Sequence, residues 1–328
     1  MTPPPAQPLK AMRDTLLFSL YQAMLEDKEV FLVTADFGSP VIDKIRADCP
    51  DRFINVGIAE QNLINVSAGL ALEGYKVFAY AIAPFITMRC YEQTRVNLAL
   101  LSEVRPMNVN LIGVGAGYSY VVSGPTHQCY EDLAVMRALP NMHIYSPADQ
   151  LLAAALPAQC LKNNGPKYLR LDAQVLPLLY GEKLPAIEDG FHSHRDGERV
   201  CLLATGYMVH TALAVADHFS AKGIPLGVID LFDMHGYSED KIHDILSRYQ
   251  GVVTMEEGFR GRGGLDALVF DFITRREMDI QMLNIGVDGG YRFDLGSRSD
   301  LHEHVGIGTA AVVEKVERWL TRLNKNRS

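Results

Sequence analysis

The chain has 328 residues, more than one hydrophobic core usually organises, and this length suits two domains. Its 48% hydrophobic and 21% charged residues are typical of a soluble globular protein. The net charge of −8 argues against a nucleic-acid partner, because phosphate binding needs a basic surface, but it leaves room for a small anionic substrate.

The cysteines and the first residues favour a cytoplasmic protein. Five cysteines are scattered without a C-x-x-C pair, which disfavours a disulfide framework or metal site and favours a reducing compartment. The opening MTPPPAQPLK lacks the apolar run of a signal peptide, and no segment has about 18 consecutive apolar residues. We therefore expect a cytoplasmic chain without a membrane span and without a metal site of its own.

Strands and helices alternate through the first half of the chain. Apolar runs predict strands at 29–36, 52–57, 76–83, 108–115, 142–146 and 167–172. Helices are predicted between them at 11–25, 61–72, 86–101, 131–138 and 148–163. Apolar strands that alternate with amphipathic helices predict an α/β domain with a mostly parallel sheet covered on both faces.

The alternation breaks and then resumes. Residues 174–198 combine proline, glycine and charge without a period, which is typical of a linker or crossover. A second series then predicts strands at 199–206, 225–232, 251–258 and 280–287, with helices at 209–222, 239–249, 265–275 and 309–323. We divide the chain into a domain over 1–180, a linker over 181–198 and a second α/β domain over 199–328.

Glu60 lies where a predicted strand gives way to a predicted helix, in FINVGIAEQN (53–62). An acid in the first turn of a helix is favoured by the helix dipole, and that is one explanation. The helix that follows is apolar on most faces, however, so its start is expected to be buried. A buried carboxyl group near neutral pH can hold or exchange a proton, which makes Glu60 a candidate functional residue.

The run SGPTHQ (123–128) follows the fourth predicted strand. Ligands of open parallel sheets bind where the strands end, and a turn at Gly124 and Pro125 can present Thr126 and His127 there. A turn that holds a hydrogen-bonded histidine is the alternative. No interpretable nucleophile–base–acid triad accompanies the run.

These two motifs, in this order and at this separation, resemble the C-terminal half of transketolases and deoxyxylulose-phosphate synthases, which are thiamine-diphosphate enzymes. The resemblance covers nearly the whole chain. It is carried by RFINVGIAEQN (52–62), SAGLALEGYKVFAYAIAPF (67–85), RCYEQTR (89–95), SGPTHQCYEDLAVMRALPNM (123–142), SPADQ (146–150), GPKYLRL (165–171), VIDLFDMHG (228–236), VVTMEEG (252–258) and LNIGV (283–287). It implies a pyrimidine-binding domain followed by a transketolase C-terminal domain.

The resemblance implies a cofactor role for four residues. The Glu60 carboxyl would hydrogen-bond N1′ of the aminopyrimidine and favour the tautomer that takes the proton from the thiazolium carbon. Phe85 would pack on the pyrimidine ring, although plain core packing is an alternative. Asp36 and Ile82 are also assigned to the cofactor site, with capping of the turn after its strand as the alternative for Asp36.

The resemblance also implies substrate-binding residues. His127 corresponds to a histidine that contacts substrate oxygens during proton transfer, and Arg170 to a position that binds substrate phosphate. Arg13 is a weaker candidate for phosphate, while Arg89 suits a structural ion pair as well as a substrate ligand. Ser123 stands where relatives usually carry an acid that reads a substrate hydroxyl, and Gly115 stands near a usual phosphate-binding histidine.

A G-D-G…N stretch, which in this family holds the diphosphate through Mg²⁺, is missing from the sequence. Asp288-Gly289-Gly290 lies in the wrong domain and lacks the asparagine. We therefore expect a partner subunit with the diphosphate and Mg²⁺ site, in an α2β2 heterotetramer that shares thiamine diphosphate.

The expected function is transfer of a two-carbon ketol or acyl unit between carbonyl compounds. Loss of the acid at 123 and of the histidine near 115 makes a short donor such as pyruvate, or an unusual acceptor, plausible in place of sugar phosphates. Two alternatives remain, namely the β subunit of the first component of a 2-oxo acid dehydrogenase and a non-catalytic regulatory subunit.

Overall fold

The computed structural model describes residues 9–181 and 184–325, and these form two α/β domains. The first domain contains the strands β1 (Val30–Thr34), β2 (Phe53–Asn55), β3 (Lys76–Ile82), β4 (Asn108–Val114), β5 (His143–Tyr145) and β6 (Gly165–Leu171). Its helices are α1 (Met12–Glu26), α2 (Pro40–Asp48), α3 (Glu60–Leu72), α4 (Tyr91–Gln93), α5 (Asp132–Arg137) and α6 (Gln150–Lys162).

The second domain contains β7 (Phe191–Arg195), β8 (Val200–Ala204), β9 (Gly227–Leu231), β10 (Gly251–Phe259) and β11 (Gln281–Val287). Its helices are α7 (Met208–Ser220), α8 (Glu239–Leu246), α9 (Leu265–Arg275), α10 (Arg298–His304) and α11 (Thr309–Lys325). Short 3₁₀ turns occur at Pro50–Arg52 and Ile187–Asp189.

The first sheet is entirely parallel, in the order β2-β1-β3-β4-β6-β5. Every residue of the central strand β4 is buried, as expected for a parallel strand with helices on both faces. The predicted α/β fold is therefore confirmed. Parallel pairing also brings the carboxyl ends of all six strands to the same edge of the sheet.

The second sheet has the order β11-β10-β8-β9-β7 and is mixed. Strands β8 to β11 pair parallel with one another, but β7 pairs antiparallel with β9. Strand β7 lies within the segment 181–198 that we predicted as a linker, so the sequence analysis missed it. Its sequence, FHSHR, carries polar residues at most positions, and the usual signal of a buried strand is weak.

The helices differ from the prediction in three places, one of which is α10, a helix that was not predicted. The predicted helix 86–101 is divided into two π-helical segments, Phe85–Arg89 and Thr94–Leu100, on either side of α4. Helix α2 was not predicted, although it has a clear start signal. Ser39 caps it by accepting a hydrogen bond from the Val41 amide at 3.2 Å, and Pro40 occupies its first position.

Buried ion pairs join the two domains. Arg298, at the start of α10, donates to Glu257 of β10 at 2.6 Å and lies 2.5 Å from a carboxylate oxygen of Asp172, which follows β6 of the first domain. His302 is 2.6 Å from the other Glu257 oxygen. The side chains of Glu257 and Arg298 are only 1% and 4% exposed, so each charge depends on its partners for stabilisation.

Glu257 is the centre of this network. Burial opposes its ionisation, but Arg298 and His302 together outweigh burial and hold the pKa of Glu257 well below its usual range. The Tyr118 amide of the first domain also donates to the Glu257 carboxylate at 3.3 Å. Ionised Glu257 is therefore a contact that both domains share.

We predict that Glu257→Gln destabilises the protein by about 3 kcal/mol near neutral pH, because Arg298 loses one of its two buried carboxylate partners. Because the pKa of Glu257 is lower in the folded protein than in the unfolded chain, its ionised form stabilises the fold at pH values above the unfolded-state pKa, about 4.3 for glutamate. This stabilisation is lost as the pH falls from that value toward the folded-state pKa. Chemical denaturation followed by circular dichroism should show the difference from wild type narrowing below that pH.

Glu92→Gln is the matched control for this variant. Glu92 is 69% exposed and lies 3.7 Å from Arg95, so its loss should change stability by less than about 0.5 kcal/mol. Equal destabilisation by the two variants would contradict the role assigned to Glu257.

Candidate functional site

The carboxyl edge of the first sheet gathers most of the predicted site residues. Asp36 follows β1, Glu60 follows β2, Phe85 follows β3, and His127 lies in the loop after β4. Ile82 is the last residue of β3 and is partly buried. The topology therefore brings these residues together although the sequence separates them by up to about ninety positions.

Glu60 is the first residue of α3 and is 3% exposed. Gly57 makes the turn before it with φ of +75°, a conformation that side chains disfavour. The Arg89 guanidinium donates a hydrogen bond of 2.7 Å to Glu60 Oε2. The other oxygen, Oε1, accepts no hydrogen bond from any residue in 9–181 or 184–325, which leaves it available for a ligand.

Phe85 and Arg89 are brought together by the π-helical turn that they begin and end. The Arg89 guanidinium lies 4.2 Å from the centre of the Phe85 ring, a favourable cation–π contact. Of the two roles left open for Arg89, an ion pair is thus present, with Glu60. Arg89 is nevertheless 42% exposed, so it connects the buried carboxylate to the open surface of the domain.

His127 approaches the same cluster from the loop after β4. Its ring lies 5.4 Å from the Phe85 ring, edge-on at 69°. Its Nδ1 is 2.9 Å from the Thr126 hydroxyl, whose oxygen is also 3.5 Å from the Ser123 carbonyl. If the hydroxyl donates to that carbonyl, it accepts from Nδ1–H, and the His127 Nε2 atom is left as a free acceptor. Ser123 itself is exposed.

The loop after β4 also contains Tyr120 and Gly115. Gly115 has φ of +100°, and a Cβ atom added there would collide with the Tyr120 ring. The Tyr120 ring lies 6.4 Å from that of His127. A tyrosine therefore fills the space that a side chain at position 115 would use.

Asp36 is held by its neighbour on β2. The Asn55 side-chain amide donates to the Asp36 carboxylate at 3.0 Å, and the Asn55 oxygen accepts from the amides of Asp36 and Gly57 at 3.2 and 2.9 Å. Asp36 adopts φ of +52°, in the left-handed region. Asn55 thus ties the turn after β1 to the turn before Glu60, a role that we did not predict. Its position at the end of a strand, shortly before Glu60, is the signal that could have shown it.

The two remaining predicted arginines do not join Glu60. Arg13 pairs with the neighbouring Asp14 at 2.8 Å, and Asp14 also accepts from Ser39. The Arg170 side chain is 2% exposed, lies 2.7 Å from Asp132, and donates to the Glu257 carbonyl at 3.2 Å. In this chain the Arg170 guanidinium contributes to the domain interface. Its role in binding substrate phosphate stays a prediction.

The part of the chain that the structure describes contains neither a metal-binding cluster nor a membrane-spanning helix. Within 9–181 and 184–325, no group of three or more His, Cys, Asp or Glu side chains is arranged to hold a metal ion. In that part of the chain, no helix combines the length and apolar character needed to cross a bilayer.

Comparison with known proteins identifies the fold. Residues 10–177 match the pyrimidine-binding domain of transketolase, and residues 191–312 match the transketolase C-terminal domain. The chain belongs to the transketolase family.

Several proteins similar to this transketolase chain are single subunits. It is 30% identical over 266 residues to a subunit of the apulose-4-phosphate transketolase of Actinobacillus succinogenes, an alignment that covers 81% of the chain and 84% of that protein. A solved structure described as "Split gene transketolase, inactive beta4 tetramer" matches with a TM-score of 0.83 and 28% identity, over 96% of this chain and 99% of that one. By contrast, the chain spans only 42% of a Synechococcus 1-deoxy-D-xylulose-5-phosphate synthase, with 29% identity.

Membership in this family implies the use of thiamine diphosphate, and the residues at the strand ends fit half of that cofactor. An aminopyrimidine needs a hydrogen-bonding carboxyl group and an apolar or aromatic surface in a sheltered place. Glu60 offers a buried carboxylate with one oxygen free, and Phe85 and Ile82 offer partly buried apolar surface at the same edge of the sheet. The pyrimidine-binding domain thus contains residues suited to the pyrimidine ring.

We predict that Arg89→Met destabilises the chain by about 1–3 kcal/mol, because the buried Glu60 carboxylate loses the hydrogen bond that stabilises its charge. The change should be measured by chemical denaturation. Adding Glu60→Gln to Arg89→Met should recover part of the loss, since a neutral amide tolerates burial better than an unpaired carboxylate.

Arg95→Met, in the next π-helical segment, Thr94–Leu100, provides the control. Arg95 is 51% exposed and faces the exposed Glu92, so its removal should have little effect. A loss at Arg89 no greater than that at Arg95 would contradict the pairing.

Proposed function

We propose that this chain is the second subunit of a two-component transketolase that transfers a two-carbon ketol or acyl unit between carbonyl compounds. The observation that carries this proposal is the buried Glu60 carboxylate, with one oxygen free, beside Phe85 and His127 at the carboxyl edge of a parallel sheet. Relatives of similar length that are themselves single subunits of transketolases support it.

The partner would be a transketolase-like subunit that carries the diphosphate and Mg²⁺ site, in an α2β2 heterotetramer. Two features support a partner at the strand-end edge. Arg89 is 42% exposed beside the buried Glu60, and Ile58, two residues before Glu60, is 77% exposed. A β4 assembly of the similar split-gene transketolase is described as inactive, which also fits a need for the other subunit.

The chain's own residues would divide the work as follows. Bound thiamine diphosphate would supply an electron sink for the carbon that is transferred. Glu60 would hold the aminopyrimidine by a hydrogen bond and share a proton with it. Phe85 and Ile82 would pack against the ring, and Asp36 would lie at its border. His127 would exchange a proton with a substrate oxygen through Nε2, while Thr126 holds Nδ1.

The substrate would differ from an ordinary sugar phosphate. Ser123 supplies a hydroxyl where relatives usually carry an acid, and Tyr120 fills the space at Gly115. These features support a short donor such as pyruvate or an unusual acceptor. The reaction would belong to the carbohydrate metabolism of the cytoplasm. Arg89 and Arg13 are the arginines best placed to meet an anionic substrate group, because neither is fully buried.

We predict that Glu60→Gln lowers turnover by the reconstituted enzyme by about 100-fold or more, because the amide cannot share a proton with the aminopyrimidine. Glu73→Gln, at the exposed end of the same helix, should leave turnover unchanged. Product analysis with carbonyl donors and acceptors measures the rate, and circular dichroism verifies folding.

Two results would overturn this function. Full turnover by the Glu60→Gln enzyme would favour a non-catalytic subunit. Decarboxylation that depends on lipoamide would favour the β subunit of a 2-oxo acid dehydrogenase component.

We also expect the isolated chain to bind thiamine diphosphate weakly, because the proposal assigns the diphosphate and Mg²⁺ contacts to the partner. Isothermal titration calorimetry should show at least about tenfold tighter binding once the partner subunit is added, a gain of about 1.4 kcal/mol. Tight, Mg²⁺-dependent binding by the purified chain alone would rule out this division of the site.

A further inference from the structure

A basic cavity lies in the second domain, between the edge strand β11 and helix α11. Its volume is about 510 Å³, within the range of small-molecule sites. Leu283 and Asn284 line it from β11. The other lining residues are four cations and a threonine, namely Arg260, Lys315, Arg318, Arg322 and Thr321.

Four basic side chains line this cavity although the chain as a whole is acidic, with 31 basic and 39 acidic residues. Lys315, Arg318 and Arg322 are spaced three and four residues apart on α11, so they share one face of the helix. Arg260, which follows β10, completes the group from the sheet. The fold thus brings together cations that lie far apart in sequence.

Nearby acids neutralise only part of this charge. Asp288 accepts from Arg260 Nε at 2.8 Å, and Glu314 lies 3.5 Å from Arg318, with both of these side chains well exposed. Arg322 has no ion-pair partner among the side chains that the structure describes. Four cations therefore face two carboxylates, and the surplus is positive.

Lys315 is partly buried among the other cations of the cavity. It donates to the Gly306 carbonyl at 2.7 Å, a neutral acceptor. Burial lowers its pKa, and the neighbouring Arg260 and Arg318 act in the same direction, although Asp288 and Glu314 oppose the shift. A bound anion would relieve the repulsion among these cations.

Asn284 adds a neutral donor. Its side-chain oxygen accepts from the Thr254 hydroxyl at 2.9 Å, so its amide nitrogen is left to donate to another group. A guanidinium group can bind a phosphate group through two parallel hydrogen bonds. An amide donor such as Asn284 adds another hydrogen bond to such a site. Nucleic acid fits poorly, because the chain is acidic as a whole.

We propose that the cavity between β11 and α11 binds a small molecule with phosphate groups that carry two or more negative charges. Arg260, Arg318 and Arg322 contact the phosphate oxygens, Lys315 contributes charge, and Asn284 donates a hydrogen bond. This inference does not rest on the proposed function, because Glu60 and His127 lie in the first domain and none of the cavity residues does.

Pyrophosphate and ADP serve as probes, titrated into the full-length chain by calorimetry at about 50 mM and 200 mM salt. The wild type should bind pyrophosphate and weaken with salt, as expected for charge-driven binding. The double variant Arg318→Glu and Arg322→Glu should bind at least about tenfold more weakly. The single variant Arg248→Glu, at an exposed position elsewhere in the second domain, tests charge reversal outside the cavity and should leave binding unchanged.

Circular dichroism shows whether the charge-reversed double variant folds. If it does not fold, the neutral double variant Arg318→Gln and Arg322→Gln is used in its place. Three results would overturn the proposal. They are no pyrophosphate binding by the wild type at millimolar concentration, unchanged affinity in the double variant, and an equal loss in Arg248→Glu. Binding of ADP as tight as that of pyrophosphate would identify the phosphates as the recognised group.

Discussion

Parallel pairing of the six strands in the first sheet is the constraint on which the site depends. Strands that all run in one direction must end at one edge, and the loops that follow them meet there. Glu60, Phe85 and His127 come from the segments that follow three different strands, and they lie in one cluster for this reason. The same hydrogen-bond pattern places Asn55 where it can tie the turn at Asp36 to the turn before Glu60.

The cluster pairs a buried carboxylate with a partly exposed guanidinium. A carboxylate that is 3% exposed needs a partner, and Arg89 provides one from a position that is itself 42% exposed. Closure by another subunit would remove water from this pair and strengthen each interaction within it. In the proposed two-component enzyme, the environment of Glu60 therefore depends on binding of the other subunit.

The second domain contributes rigidity and charge. Glu257, Arg298 and Asp172 hold the two sheets together with ion pairs that are almost fully removed from solvent. Such pairs add little net stability compared with apolar packing, but each group is costly to leave alone, so they define one relative arrangement of the domains. Arg170 belongs to this interface through Asp132 and the Glu257 carbonyl, which explains its burial.

Much of this architecture could be predicted from local patterns. Strand β4 is a run of buried, largely apolar residues, and helix α3 is apolar on most faces, so both were predicted close to their observed limits. Strand β7 was missed because its side chains are mostly polar and only its backbone pairing with β9 defines it. The division of the predicted helix at 86–101 into two π-helical segments on either side of α4 was also missed.

By itself, the sequence determined the α/β class and the order of most strands and helices, and it made Glu60 and His127 candidate site residues, because hydrophobic period and short motifs are local properties. Only the tertiary structure decided that Arg89 pairs with Glu60, that Asn55 holds Asp36, and that Arg170 is buried at the domain interface. The basic cavity between β11 and α11 likewise exists only after folding. Charges interact over a few ångströms in space, and distance along the chain does not report which of them will meet.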